Sequence, residues 1–405
     1  MMIIDRKEKQ ALKSFKSWIF VFGRRKTGKS FLVKNFAGWD EYFFIKRDKT
    51  ILSEKENSMS YETFLSILKR ELERGKIIVV DEFHRLGDDF LDFIHSLNKK
   101  GKLIIISSTL FLSKKLLNQK SPILGLFSEM PVRIINLEDV ITALKKEKLS
   151  KKEYVENSII LREPITINSF TINKKARETF SKVILSNMNS VPALVGEIFL
   201  EEEKTLSAVY EGILRAISTG KISSTEITNY LFSRKLIPNN DASIVQQYLK
   251  NLIDFGVIKK IMVYNKNKFI YKHISPLIRI FYYADEKYNI SERDVTEEEM
   301  GRIVDEIMPK IAEDNIREFL ARKFNLIESV IETKDYDIDA CLLKFKKPEI
   351  AIEIKWKDKI KSDEIKKIER NLNMVNAKKR WLFVPDKSEI EIESEIEIVD
   401  ITDFN

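Results

Sequence analysis

An α/β fold is what this sequence predicts: a parallel sheet covered by helices, a mostly helical middle, and a second, smaller α/β unit. Three observations carry this. Over residues 1–140 short apolar runs alternate with amphipathic stretches, the pattern of a parallel sheet with helices on both faces. Over 206–285 three amphipathic stretches with Ser-, Thr- or Asp-rich starts precede two β-rich runs around Asn265-Lys266-Asn267. In the last quarter "DYDIDACLLKF", "EIAIEIKWK" and "KRWLFVP" read as three strands, with "SDEIKKIERNLNMVNA" as a helix before the last. Upstream, "IAEDNIREFLARKFN" reads as a helix and "VTEEEMGRIVDEI" as a charged linker running into it.

A chain of 405 residues, 43% hydrophobic, is long enough for two to four domains with ample cores. No window reaches 18 apolar residues, so no membrane span is expected. The start, MMIIDRKEKQ, lacks the apolar core of a signal peptide. Cys341 is the one cysteine, which excludes an intrachain disulfide and a cysteine zinc site. A reduced, cytoplasmic protein is the expectation. The net charge of +8 is uneven: residues 291–405 hold 21 basic and 29 acidic residues, net −8, which leaves +16 for the rest. The first three quarters is therefore either a polyanion-binding surface or a lysine-rich, solvated one. Heavy use of Lys and Ile fits a thermophile or an AT-rich genome.

The stretch "WIFVFGRRKTGKSFLVKNF" carries the sharpest chemistry. Trp18 to Phe22 is a buried strand by composition. Gly23, Arg24, Arg25, Lys26, Thr27, Gly28, Lys29 and Ser30 fit G-x-x-x-x-G-K-[ST], and Phe31, Leu32, Val33 and Phe36 follow at helical spacing. Glycines let the backbone wrap so that its N–H groups face phosphates. The helix N-terminus adds positive potential. Lys29 is placed to reach the β- and γ-phosphates, and the Ser30 hydroxyl to ligate Mg²⁺. Residues 23–31 are thus the expected ATP·Mg²⁺ cradle. About 50 residues on, "KIIVVDEFHRL" ends a buried strand in Asp81 and Glu82. Asp81 would position Mg²⁺ through water, and Glu82 would polarise the attacking water. A third strand, "KLIIISSTLFL", ends in Ser107, Ser108 and Thr109. A hydroxyl there contacts the γ-phosphate or the lytic water, or else caps the next helix.

These residues resemble the archaeal-type P-loop ATPases related to the AAA+ and STAND classes. "GRRKTGKSFL" is similar to their phosphate loop. "VVDEFHRL" is similar to their Asp-Glu-Phe-Gln strand end, with His84 in place of Gln. "ISSTLFLSKKLLNQKSPILGLF" resembles their sensor strand, whose serine falls on Ser108, and the Ser-Pro-Leu-x-Gly-Arg segment after it. Ser107 replaces the usual glycine, and Leu126 stands where arginine usually follows Gly125. The resemblance implies slow or partner-dependent hydrolysis unless Arg133 substitutes.

The middle, 141–205, reads as helices with little chemistry; "SNMNSVPALVGEIFLEEE" resembles the helical lid of such ATPases, its apolar stripe being core. Three helices and a hairpin over 206–290 make a winged helix. Its third helix would read DNA through Ser243, Gln246, Gln247 and Lys250, with Lys266 and Lys268 as phosphate contacts. Alternatively the unit packs within the ATPase, as in STAND proteins. "ISPLIRIFYYADEKY" reads as a docking helix.

In 291–405, Glu353 and Lys355 share one strand face by the period of two, with Asp339 on a neighbouring strand. Two carboxylates would bind Mg²⁺ and the lysine would position or activate water; in–out alternation on a solvated face gives the same spacing. The arrangement resembles the PD-(D/E)xK nuclease core, which archaeal ATPases of this type commonly carry here. The resemblance implies Asp339, Glu353 and Lys355 as metal-site residues, with Glu313 as a fourth and Glu318 as its rival; Ile338 replaces the usual proline. Such domains cleave DNA or only bind it. The expected organisation is a P-loop ATPase domain over 1–140, a lid over 141–205, a winged helix over 206–290 and a nuclease-like domain over 291–405. ATP, DNA, and a second copy or a protein partner are the expected partners.

Overall fold

The computed structural model describes residues 3–404 apart from 55–57, 111–112, 114–115, 117–123, 169–174, 203 and 391–393. The first sheet comprises β1 (Trp18–Phe22), β2 (Glu41–Ile45), β3 (Ile51–Ser53), β4 (Ile77–Asp81), β5 (Lys102–Ser107) and β6 (Phe127–Pro131). Its order is β3-β2-β4-β5-β1-β6. Only the edge strand β3 pairs antiparallel; the remaining pairs are parallel, as the alternating pattern predicts. The period of two sorts the apolar side chains between the faces. Phe20, Phe22, Ile78, Val80, Leu103 and Ile105 pack under helices Tyr61–Glu73 and Asp88–Ser96. Ile19, Val21, Val79, Ile104 and Ile106 pack under helices Lys7–Ser14 and Lys29–Phe36. Burial on both faces explains why these strands are continuous apolar runs. Because β5 inserts between β1 and β4, the loops leaving all three strands emerge side by side at one edge.

Helices Leu137–Leu144, Lys151–Ile160, Pro164–Ile167, Ala176–Ser186 and Ser190–Glu201 follow. No single described helix is long and apolar enough to cross a membrane. Helices Ala208–Ser218, Ser224–Ser233 and Ala242–Asp254 come next, then the antiparallel hairpin β7 (Ile258–Val263) and β8 (Phe269–His273), then helix Pro276–Tyr288. Ser223 and Glu226 close a capping box at the second of the three, a device that contributes about 1 kcal/mol.

The charged stretch read as a linker is instead the first half of a single 27-residue helix, Glu297–Lys323, which runs through Pro309. Thr296 and Glu299 cap its start, and Met300, Ile303, Val304, Ile307 and Met308 are buried along it. That burial outweighs the helix-breaking tendency of one proline. Strands β9 (Ser329–Glu332), β10 (Asp337–Ile338), β11 (Ala340–Lys344) and β12 (Lys347–Ile354) follow. Helix Ser362–Asn373, β13 (Lys379–Phe383) and β14 (Glu397–Val399) end the fold. Two sheets result, β10-β9-β7-β8 and β11-β12-β13-β14. "DYDIDACLLKF", expected as one strand, is therefore two, and the chain changes sheet at Asp339. β9 also pairs parallel with β7, so the hairpin and the last quarter share one sheet. One apolar cluster runs from Leu137 through Phe199, Phe255 and Ile311 to Trp381 and Phe404.

Candidate functional site

The phosphate loop is shaped by its glycines. A Cβ on Gly23 would lie 2.0 Å from the Val132 carbonyl oxygen, a contact only glycine avoids. Gly28, at φ +86°, caps helix Lys29–Phe36 with no side chain on the cap, so the first N–H groups stay open to an anion. Lys29 is buried, and its Nζ donates to the Arg24 carbonyl at 2.9 Å. Burial pulls its pKa down to about 8, against the opposing charges of Glu82, Asp81 and Glu201.

Asp81 ends β4 and is buried; Tyr42 Oη donates to its Oδ2 at 2.5 Å. Burial raises its pKa, while hydrogen bonds from Tyr42 and Ser30 oppose that rise. No described group pairs with its buried Oδ1. A buried, unpaired carboxylate oxygen beside the Ser30 hydroxyl fits an expected Mg²⁺, which favours all-oxygen donors. Glu82 takes the left-handed conformation, φ +59°, and Ser108 Oγ lies 2.7 Å from its Oε2. The strand-end hydroxyl of Ser108 thus faces the second carboxylate.

A cleft of about 710 Å³ opens on these groups. Arg25, Lys26, Gly28, Lys29, Ser30 and Phe31 line one wall, with Glu82 and Ser108 opposite. Gly23, Arg24 and Thr27 stand behind it. The Arg24 guanidinium is buried in a double contact with Glu163, both at 3.0 Å, and only its carbonyl serves the loop, accepting from Lys29 and from Thr27 Oγ1. Glu163→Ala leaves that guanidinium buried and unpaired; an expected loss of about 3–5 kcal/mol is checked by urea unfolding. The segment 117–123, with the Ser-Pro pair of the resemblance, lies outside the described residues. Leu126 packs against the sheet core. Arg133 is exposed and does not line the cleft.

Sequence reasoning missed Glu201, a buried carboxylate that pairs with Arg25, Arg85 and Ser108 of the cleft lining. Glu201 ends helix Ser190–Glu201, in a stretch whose pattern announces core packing and no chemistry. Its carboxylate lies 2.9 Å from Arg25 NH1, 3.2 Å from Arg85 NH2, 3.2 Å from His84 Nε2 and 2.9 Å from Ser108 Oγ. Burial would raise its pKa, but His84, Ser108 and Arg85 hold it down at about 2. Glu82, His84 and Glu201 present ligand atoms within 4.8 Å of one another. Arg25 and Arg85 point at the same carboxylate, so this cluster is better suited to anions than to a cation.

The last quarter brings its predicted residues together. Lys355 Nζ donates to Glu353 Oε1 at 2.6 Å, and Asp339 Oδ2 accepts from the Ile354 N–H at 2.9 Å. Glu313 lies close enough to Asp339 and Glu353 for their charges to interact. Burial, with Asp339 and Asp314 beside it, raises the Glu313 pKa; burial and neighbouring carboxylates raise Asp339 and Glu353 as well. Three carboxylates resisting ionisation in one place fit a divalent cation, which relieves their repulsion. Glu318 is taken up by Arg162, Lys259 and Arg322 at 2.7–3.0 Å, whereas Glu313 pairs with Lys310 alone among the described residues, at 2.8 Å. A second cleft, about 620 Å³, is lined by Glu313 and Asp339 together with Lys266, Lys268, Lys272 and Lys310. Ser243, Gln246, Gln247 and Lys250 lie on helix Ala242–Asp254, away from its buried Val245, Leu249 and Leu252.

Residues 16–156 match the family model of an AAA domain. No curated protein matches the chain. Among solved structures, a Walker-type ATPase of Pyrococcus abyssi is 19% identical, over 69% of this chain and 96% of that one, with a TM-score of 0.50. The ORC2 protein of Aeropyrum pernix in ADPNP–ADP complexes is 12% identical over 76% and 94%, with a TM-score of 0.38. The ORC1 protein of the same organism in complex with DNA is 15% identical over 70% and 90%, with a TM-score of 0.31. At such identities the likeness to the Pyrococcus protein is one of fold.

Proposed function

We propose that this chain binds and hydrolyses ATP with Mg²⁺ and couples its nucleotide state to DNA binding or metal-dependent DNA cleavage by the last quarter. The observation that carries the coupling to DNA is the second cleft. Lys266 and Lys268 of the β7–β8 turn line it together with Glu313 and Asp339. Two lysines and two of the clustered carboxylates thus face the same space.

In the ATPase site, Lys29 and the open N–H groups of its helix hold the β- and γ-phosphates. Ser30 and Asp81 would hold Mg²⁺, which neutralises phosphate charge when bound. Glu82 orients water and accepts its proton, with Ser108 fixing the carboxylate. In the last quarter Asp339, Glu353 and Glu313 would hold a divalent cation, and Lys355 positions the attacking water. The helices 208–218, 224–233 and 242–254 with the β7–β8 hairpin act as a winged helix whose Ser243, Gln246, Gln247 and Lys250 face the duplex. One apolar cluster spanning lid, winged helix and last quarter gives the nucleotide site a mechanical route to that cleft.

The test is cleavage of supercoiled, linear and branched DNA with Mg²⁺ or Mn²⁺, with and without ATP. Wild type cuts, and Glu353→Ala loses at least roughly 100-fold in rate, because one ligand and the partner of Lys355 are removed together. A second reading, a STAND-like switch with a recognition-only last quarter, draws on Leu126, which leaves this chain without the usual arginine. Well-folded, ATP-binding protein that cuts none of these DNAs overturns the cleavage reading in favour of the switch.

A further inference from the structure

We infer that Glu201 is an internal occupant of the terminal-phosphate position, and that the site discriminates ATP from ADP by whether the ligand displaces this carboxylate. The inference rests on the nucleotide reading of the cleft and adds a specificity-determining residue to it.

Groups from four separate elements converge on this one side chain. Arg25 comes from the phosphate loop, Arg47 from the turn after β2, His84 and Arg85 from the turn after β4, and Ser108 from the end of β5. The Glu201 side chain is only 6% exposed. Arg25, Arg47, Arg85 and Ser108 line the cleft beside Lys29 and Ser30. Three guanidinium groups surround this carboxylate, and Glu197, 2.6 Å from Arg25, and Glu82, 3.7 Å from Arg85, share them. A terminal phosphate, with more charge and three acceptor oxygens, satisfies that set better. A diphosphate ends one phosphate short of it.

Proton counting points the same way. Ser108 Oγ lies 2.7 Å from Glu82 Oε2 and 2.9 Å from Glu201 Oε2, but a hydroxyl has one proton to give. While Glu201 is seated, it competes with Glu82 for the group that fixes the water-activating carboxylate. Displacement frees Ser108 for Glu82 and Arg85 for the phosphate. Glu201 leaves at the end of a helix that also carries Phe199, whose ring packs 4.7 Å from Tyr210 and 5.1 Å from Phe255. Those residues belong to helix Ala208–Ser218 and to the end of helix Ala242–Asp254, so displacement is felt in the proposed DNA-reading unit.

The experiment is calorimetric titration of wild type and Glu201→Gln with ATP and with ADP, each with Mg²⁺. Glutamine keeps the shape and loses the charge. ATP affinity is expected to rise at least roughly 10-fold in the variant, and ADP affinity to change less than about 3-fold, because only the longer ligand competes with the carboxylate. Equal changes for the two ligands, or a fall in ATP affinity, overturn the inference and make Glu201 a strut that holds the arginines. Wild type that binds neither nucleotide overturns the underlying reading as well, a distinct result. Amide exchange on the wild type supplies the second measurement. A non-hydrolysable ATP analogue is expected to speed exchange across 197–201, and ADP to leave it unchanged. Identical exchange in the two states counts against displacement.

Discussion

Lys29→Ala lowers affinity for ATP·Mg²⁺ by about 30-fold or more. The lysine is buried beside the phosphate loop, so no water replaces its contact with the phosphate. Truncating one partner of a buried, hydrogen-bonded charge pair costs about 2–5 kcal/mol, and each 1.4 kcal/mol is about tenfold in affinity. The depressed pKa adds a pH signature. With Lys29 at about 8 in the free protein, roughly a tenth of it is charged at pH 9. Only the ammonium pairs with phosphate, and binding raises its pKa. Affinity therefore falls about tenfold per pH unit above 8, and binding at pH 9 takes up about one proton. Lys29→Ala removes both effects. Equal affinity in the variant removes Lys29 from the site.

Glu82→Gln leaves ATP binding close to wild type and lowers turnover by about 10²–10⁴-fold, the usual weight of a general base. The amide keeps the size of the side chain and its contact with Ser108, but it accepts no proton from water. Asp81→Asn separates the two acidic positions, because it weakens the Mg²⁺ dependence of binding as well as turnover. Single-turnover kinetics with saturating ATP measure the chemical step directly. An unchanged rate in Glu82→Gln moves the base elsewhere in the cleft.

The parts of this molecule that rest on local pattern are legible in the sequence. The strand Trp18–Phe22, the loop to Ser30 and the helix after it are defined by neighbours within about 20 residues, and so is the Asp81–Glu82 strand end. Even the carboxylate–lysine cluster is legible, because a strand fixes the face shared by Glu353 and Lys355. What stays hidden depends on contacts between distant residues. Glu163 reaches Arg24 across 139 positions, and Glu201 reaches Arg25 across 176. A glutamate on a helix after an apolar stripe looks like any solvated residue until the chain is folded. The break at Asp339 is hidden for a different reason. No Gly or Pro punctuates Asp337–Lys344, so nothing local marks that the chain leaves one sheet for another. The helix Glu297–Lys323 is obscured by its acidic start and Pro309, although Thr296 and Glu299 already spell its cap. The pairing of β9 with β7 lies beyond any local rule, and it joins the hairpin lysines to the carboxylate cluster.

The most direct test of nucleotide binding at this site is a calorimetric titration of the wild-type chain with ATP and Mg²⁺ at pH 7 and pH 9, in two buffers of different ionisation enthalpy. The expected result is one saturable site, about tenfold weaker at pH 9, with uptake of about one proton there and close to none at pH 7. No saturable heat up to millimolar ATP, or binding of equal strength at both pH values with no proton uptake, contradicts it.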